Sequence, residues 1–299
     1  MVEREKEKSM HIVAKFYETY SICDVVSGLL KNTLDHALLL EGFHCDERWA
    51  DWVIPYEKQS VLHQFIGFVV QGMHSEQADG FDIEKQKKIY SNFKGIPPAI
   101  ADLQPHKLPI EHAFEHHGID HQTFFEFLKD EGKMFEEADA DDIYEYMNEI
   151  WISAAYEDLM KQTVHEVFHV VFQNRELMMD FNSYVSGILE HAQWDQVEDF
   201  DRSLLASNGT LARVRPPRWA QRAVFFRDRG RCVLCDSDLT GLMSIENVEN
   251  YDHIVPLSRW GINDITNLQL LCAPCNQRDK RDGAPITSGR YQSWYAIDK

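Results

Sequence analysis

Near the end of the 299-residue chain, Asp252 and His253 stand side by side, and Asn276 follows directly on Cys275. Two Cys-x-x-Cys pairs enclose this segment, Cys232–Cys235 and Cys272–Cys275, with 36 residues between them. A two-residue gap lets both sulfurs of a tight turn face one ion, and a tetrahedral zinc takes four such ligands. The two pairs therefore read as one structural Zn²⁺ closed by four thiolates, a staple with no open coordination position. The need is physical as well: the 88 residues from 212 onward can build little core, and bound metal adds folding energy.

Between the knuckles the residue types suit hydrolysis. A carboxylate or carboxamide oxygen suits a hard cation, and an imidazole with a pKa near about 6.5 is half-prepared to act as a base at neutral pH. Val248 and Tyr251 predict a strand running into Asp252–His253; "IVPLSRWGINDITN" is rich in turn residues; "LQLL" predicts a returning strand. A helix should start at the second knuckle and run through "NQRDKR". A hairpin and a helix clamped at their base would bring Asp252, His253 and Asn276 together.

With those residues in view, "CVLC … YDHIVPLSRWGINDITNLQLLCAPCNQRDK" resembles the HNH endonuclease motif of the four-cysteine, ββα-metal kind, similar to endonuclease VII. The resemblance covers roughly residues 213–285. It implies cleavage of DNA by phosphodiester hydrolysis, with a catalytic Mg²⁺ or Mn²⁺ on Asp252 and Asn276 and with His253 as general base. Asn267 would brace the loop that carries the histidine. Asn276 stands where many members have histidine, so this is an H-N-N variant. One such site cuts one strand, so a monomer should nick. Two other readings stand beside it: a zinc-binding nucleic-acid adaptor with an inactive centre, and a metallopeptidase built on the HExxH of His165, Glu166 and His169, with Glu190 as a conceivable third ligand.

Charge divides the chain. Its net charge is −19, yet residues 212–299 hold 13 Lys and Arg against 10 Asp and Glu, while the remaining 211 hold 17 against 39. An acidic part would repel nucleic acid; a mildly basic one need not. Arg213, Arg215, Arg218, Arg222, Arg227 and Arg229 precede the candidate site, and Arg278, Lys280 and Arg281 follow it. Of these, Arg218, Arg222, Arg227, Arg278, Lys280 and Arg281 are the expected DNA-binding set. Singly each is an ordinary surface charge; together, flanking the site, they read as a surface that tracks phosphates.

The elements that must position this chemistry are helical for most of the chain. Ile12, Phe16, Tyr20, Cys23, Val26, Leu29, Leu30, Leu34 and Leu38 recur at three- and four-residue steps, the pattern of an amphipathic helix. Similar patterns cover 57–74 and 82–93, 109–130 reads as one or two short helices, and 141–192 as one bent helix or two. The polar stretch 195–219, with Asn-Gly and Pro-Pro, reads as a linker. A short basic helix from about Pro217 to Asp228 should stop at Gly230. The expected fold class is a mainly α N-terminal domain (1–205) plus a small α+β, zinc-stapled ββα-metal domain (206–299). No family resemblance is found for the acidic domain; it is expected to dock a protein partner or a second copy, sense a ligand, or cover the nuclease face.

"MVEREKEKSM" is too charged for a signal peptide, and no apolar run approaches the roughly 20 residues that span a bilayer. The expectation is a cytoplasmic protein with no membrane partner. Among the 14 histidines, His112, His116, His117 and His121 read as a solvated or hydrogen-bonded cluster. "EEADADD" lacks the glycine and final glutamate of a calcium loop, and reads as an acidic loop and helix cap.

Overall fold

The computed structural model describes residues 18–45, 48–93, 107–197, 200–241, 249–278 and 283–291. The chain is mostly helical, and its described residues hold one two-stranded antiparallel sheet near the C-terminal end. Its helices are α1 (Thr19–Lys31), α2 (Ala37–His44), α3 (Val61–Asp79), α4 (Ile83–Phe93), α5 (Pro109–His117), α6 (Phe124–Asp130), α7 (Ala140–Trp151), α8 (Ala154–Val171), α9 (Arg175–Glu190) and α10 (Arg218–Arg227). The hairpin strands are β1 (Glu249–His253) and β2 (Leu268–Cys272), and α11 (Ala273–Arg278) follows at once.

Two compact units account for the chain. The first comprises residues 1–22 and 67–167, the second 23–66 and 168–299. Position 205/206 lies inside the second unit, which joins the hairpin to helices from the acidic part of the sequence.

Helix ends follow local chemistry. The stripe expected across 11–40 is interrupted after Lys31, and its residues 11–17 lie outside the described segment. The Asn32 side chain donates to the Gly28 carbonyl (3.1 Å), a local bond that competes with continuing the helix. Leu34 and Leu38 are consequently 91% and 89% exposed rather than buried. The pattern at 141–192 resolves into three helices instead of one or two. Ser153 Oγ accepts from Tyr156 N (3.1 Å) and Asn174 Oδ1 from Leu177 N (3.1 Å), so each polar residue caps a new helix. Asp139 and Asp142 cap α7 reciprocally, the helix-cap role expected of the acidic run.

In the first unit an aromatic-rich core gathers Phe114, Phe124, Phe127, Phe135, Tyr146 and Leu159, among others. Glu111 is buried within it and accepts from the backbone N–H groups of Leu108 and Phe124. Burial pushes its carboxyl up to about 7 in spite of those bonds. Burial also lowers His74 to about 4.

Much of the stretch expected to be a linker is folded. Leu205 and Leu211 pair across a turn at Asn208–Gly209, and Leu211 is buried. Asn263 donates to Ala212 O (2.8 Å) and accepts from Val214 N (3.3 Å). An asparagine inside the loop after β1 therefore fixes the approach to α10.

Candidate active site and metal centre

The basic helix forms within one residue of its expected bounds, with Pro217 before it and Asp228 as its last cap. Arg229 and Gly230 then both take positive φ. A side chain at Gly230 would meet Thr240 at 2.7 Å and Phe225 at 2.8 Å, so glycine is required there twice over. This turn delivers Cys232 to the base of the hairpin.

Arg227, expected to meet DNA, is instead buried. It donates to Asp228 Oδ1 (2.8 Å) and Oδ2 (2.9 Å) and to the Leu268 carbonyl (2.6 Å). Asp228 also accepts from Leu270 N (2.9 Å) and lies 3.5 Å from buried Arg175 on α9. These charges lock α10 and α9 to β2. Arg227 shares the buried face of α10 with Val224 and Ala220, three and seven positions back, and that spacing was a readable sign. Arg218 and Arg222 are exposed on the other face, Arg278 is exposed on α11, and Lys280 and Arg281 lie outside the described residues.

The four cysteine sulfurs lie within 4.8 Å of one another, and those of Cys235 and Cys272 are 3.6 Å apart. Zinc–sulfur bonds of about 2.3 Å in a tetrahedron would place sulfurs about 3.8 Å apart, so the cluster fits zinc. Burial, reinforced for Cys275 by the crowded neighbouring thiols, pushes Cys275 and Cys272 up. At Cys235 burial is the largest single influence and opposes ionisation, but hydrogen bonds from Ser237, Cys232 and Cys272 together outweigh it and bring the thiol to about 7. Four sulfurs at this spacing are stable as thiolates with a cation among them. Among the described residues this is the one cluster of three or more His, Cys, Asp or Glu arranged for a metal.

The hairpin pairs Asp252 with Gln269 and His253 with Leu268. Beyond His253 the chain is held by Asn267, which is fully buried. Its Oδ1 accepts from Val255 N (2.8 Å), and its Nδ2 donates to Val255 O (3.0 Å) and Ile262 O (2.9 Å). Its own carbonyl accepts from Ile254 N (2.6 Å). One carboxamide thus closes both ends of the 255–262 loop. Gly261 makes the closure possible, since a Cβ there would lie 2.0 Å from the Val255 carbonyl oxygen. Asp264 supports the same loop from below, accepting from Thr266 N and Oγ1 and from Val61 N at the start of α3. Burial pushes the Asp264 carboxyl up, against the pull of these bonds.

Asp252 and His253 are both buried at the end of β1. Arg213 reaches to 4.0 Å from Asp252 Oδ1 and also lines a cleft of about 490 Å³ with Arg215, Gln221, Asn250, Tyr251 and Asn276. Helix α11, which carries half-buried Asn276, packs on both strands. Arg213 therefore connects the Asp252 carboxylate to the cleft that holds Asn276. Asn263, Asp264 and Gly261 were not singled out by sequence reasoning; the turn-rich composition of the loop was their one visible sign.

The HExxH residues lead elsewhere. Glu166 is buried in the first unit, where it accepts from Thr19 Oγ1 (3.1 Å) and lies 3.9 Å from His117 Nε2. His117 Nδ1 meets the Ala113 carbonyl (2.8 Å). These bonds belong to a helical core, and both Glu190 and His169 are exposed.

The C-terminal part of the chain thus holds a two-stranded hairpin followed by a helix, with four cysteines grouped for a metal at its base and Asp-His at the end of the first strand. Residues 232–282 match the family model described as HNH endonuclease, and the C-terminal part of the chain carries this nuclease-type domain. No curated protein and no solved structure matches the chain. Among the described residues no helix is long and apolar enough to cross a membrane.

Proposed function

We propose that the chain is a metal-dependent endonuclease that hydrolyses DNA phosphodiester bonds at Asp252, His253 and Asn276. The observation that carries this reading is the Asn267 closure. A buried side chain spends three hydrogen bonds on the loop that begins two residues after His253. Such rigid support is what a catalytic imidazole needs.

Asp252 and Asn276 would hold Mg²⁺ or Mn²⁺ by oxygen donors, a donor set that fits a hard cation. When bound, that cation supplies stabilisation of charge developing on the phosphate. His253 accepts a proton from the attacking water at an imidazole nitrogen. Arg213, with most of its side chain exposed and its guanidinium 4.0 Å from Asp252, is placed to bind a phosphate oxygen at the cleft. Zinc held by the four cysteines would take no part in the chemistry; it would tie the base of the hairpin to the helix.

One site cuts one strand, so the monomer nicks. Zinc-loaded protein with Mg²⁺ or Mn²⁺ should convert supercoiled plasmid to open circles, and His253→Ala should bind DNA without cutting it. Direct conversion to linear DNA without an open-circle stage would contradict nicking. DNA binding with no cutting by the unsubstituted chain would support the adaptor reading instead. The setting proposed is phage defence, by analogy with nuclease modules joined to helical domains. Phage plaque counts on cells carrying the intact or the His253→Ala chain test it, and equal counts would remove it.

A further inference from the structure

Helix α10 presents two faces. Ala220, Val224 and Arg227 are buried, while Arg218, Arg222 and Phe226, spaced four apart, face solvent. Phe226 is 76% exposed. A lone exposed phenylalanine is ordinary; the surroundings of this one are not. Arg218, Gln221, Arg222, Phe225, Phe226 and Tyr251 line one cleft of about 330 Å³. Tyr251 also lines the adjoining cleft that contains Arg213 and Asn276. Aromatic rings interleaved with guanidinium groups thus continue directly from the candidate active site.

Arginines alone would suffice to track a duplex backbone. A phenyl ring offers no hydrogen bond to a base edge, and in the major groove of B-form DNA its apolar partner is only the small thymine methyl. A ring gains appreciably when a base leaves the stack and lies against it. We infer that Phe226, with Phe225 and Tyr251 beside it, is a stacking platform for an unpaired nucleobase. The substrate is then DNA carrying unpaired nucleotides beside the scissile bond. The inference rests on the nuclease reading for the word substrate, but the platform itself is tested by binding alone.

The test is fluorescence anisotropy with the full zinc-loaded chain and no added divalent ion. The probes are a labelled single strand, its perfect duplex, and the duplex with a short unpaired bulge. Base–aromatic stacking is worth roughly 1–3 kcal/mol per base, so Phe226→Ala should weaken single-strand and bulge binding by roughly 5- to 150-fold. Duplex affinity should change less than about twofold, because the arginines carry it. Phe226→Trp should restore the lost affinity, and the melting temperature of Phe226→Ala should match the parent. Equal losses on all three probes, no loss on any, or no single-strand binding by the parent would each overturn the platform. Failure to cleave any DNA would instead overturn the nuclease reading and leave the binding comparison intact.

Discussion

Asn267→Ala removes the carboxamide that closes the loop after His253. It leaves Val255 N, Val255 O and Ile262 O without the partners they have now, in a place where Val255 and Ile262 are each 1% exposed. A buried polar group left without a partner costs about 1–3 kcal/mol, and partial relaxation brings the expected sum to roughly 3–5 kcal/mol. Urea unfolding of the zinc-loaded full chain, followed by the fluorescence of Trp260 and its neighbours, would read this directly. Activity should fall further than stability explains, since misplacing a catalytic group by about 1 Å can cost roughly 10²-fold. Asn267→Asp separates bracing from bulk. It keeps an acceptor for Val255 N but aims a carboxylate at two carbonyl oxygens. Its folded pKa is therefore raised, and the native state holds the proton more tightly than the unfolded chain. Sign follows from linkage: this variant loses stability as pH rises from about 4 through its raised value. An Asn267→Ala protein that melts and cleaves like the parent would refute the bracing argument.

Gly261→Ala should destabilise by roughly 1–3 kcal/mol through overpacking against the Val255 carbonyl, read in the same melt. Arg227→Ala should cost about 3 kcal/mol, because buried Asp228 loses its two short Arg227 hydrogen bonds and keeps only the longer Arg175 contact and the Leu270 N–H. Arg222→Ala, on the exposed face, should shift stability by no more than about 0.5 kcal/mol and lower the salt slope of DNA binding by about 0.9. Cys272→Ser should abolish the one tightly bound zinc and unfold the hairpin, seen as metal content and loss of the cooperative melt. Glu111 and His74 make opposed contributions to pH dependence. The raised Glu111 carboxyl loses stability as pH rises between about 4.5 and 7, and the lowered His74 loses it as pH falls between about 6.5 and 4. Glu111→Gln should therefore make stability rise more steeply with pH between about 4.5 and 6.5 than in the parent, measured by urea melts across that range.

What could be read from the residues was local. Two-residue cysteine gaps, the Asp-His pair, the turn-rich loop and Gly230 each act within a few positions; α10, the hairpin from Glu249 and the start of α11 formed where they pointed, while Val248 and the expected helix beyond Arg278 lie outside the described residues. Asn267 was legible only through the family resemblance, which assigned it the loop that its hydrogen bonds reach. The contacts that build the second unit have no local signature. Val61 N meets Asp264, Tyr56 N meets the Asn263 carbonyl at 2.8 Å, and Arg175 meets Asp228. Nothing within a few residues of Val61 names a partner some two hundred positions on. Arg227 was misread for the opposite reason. Its charge outweighed a periodicity, with Ala220 and Val224, that already placed it inside. The break after Lys31 was hidden because Leu34 and Leu38 continue the apolar step that Asn32 interrupts.

The central claim is that Asp252 and Asn276 share one divalent ion beside the His253 imidazole. Anomalous diffraction from crystals of the zinc-loaded chain soaked in Mn²⁺ tests it most directly. The account predicts a manganese peak within bonding distance of an Asp252 carboxylate oxygen and the Asn276 carboxamide oxygen, with the His253 ring facing it and zinc among the four cysteines. Manganese bound elsewhere, or those three side chains directed at no common centre, would contradict it.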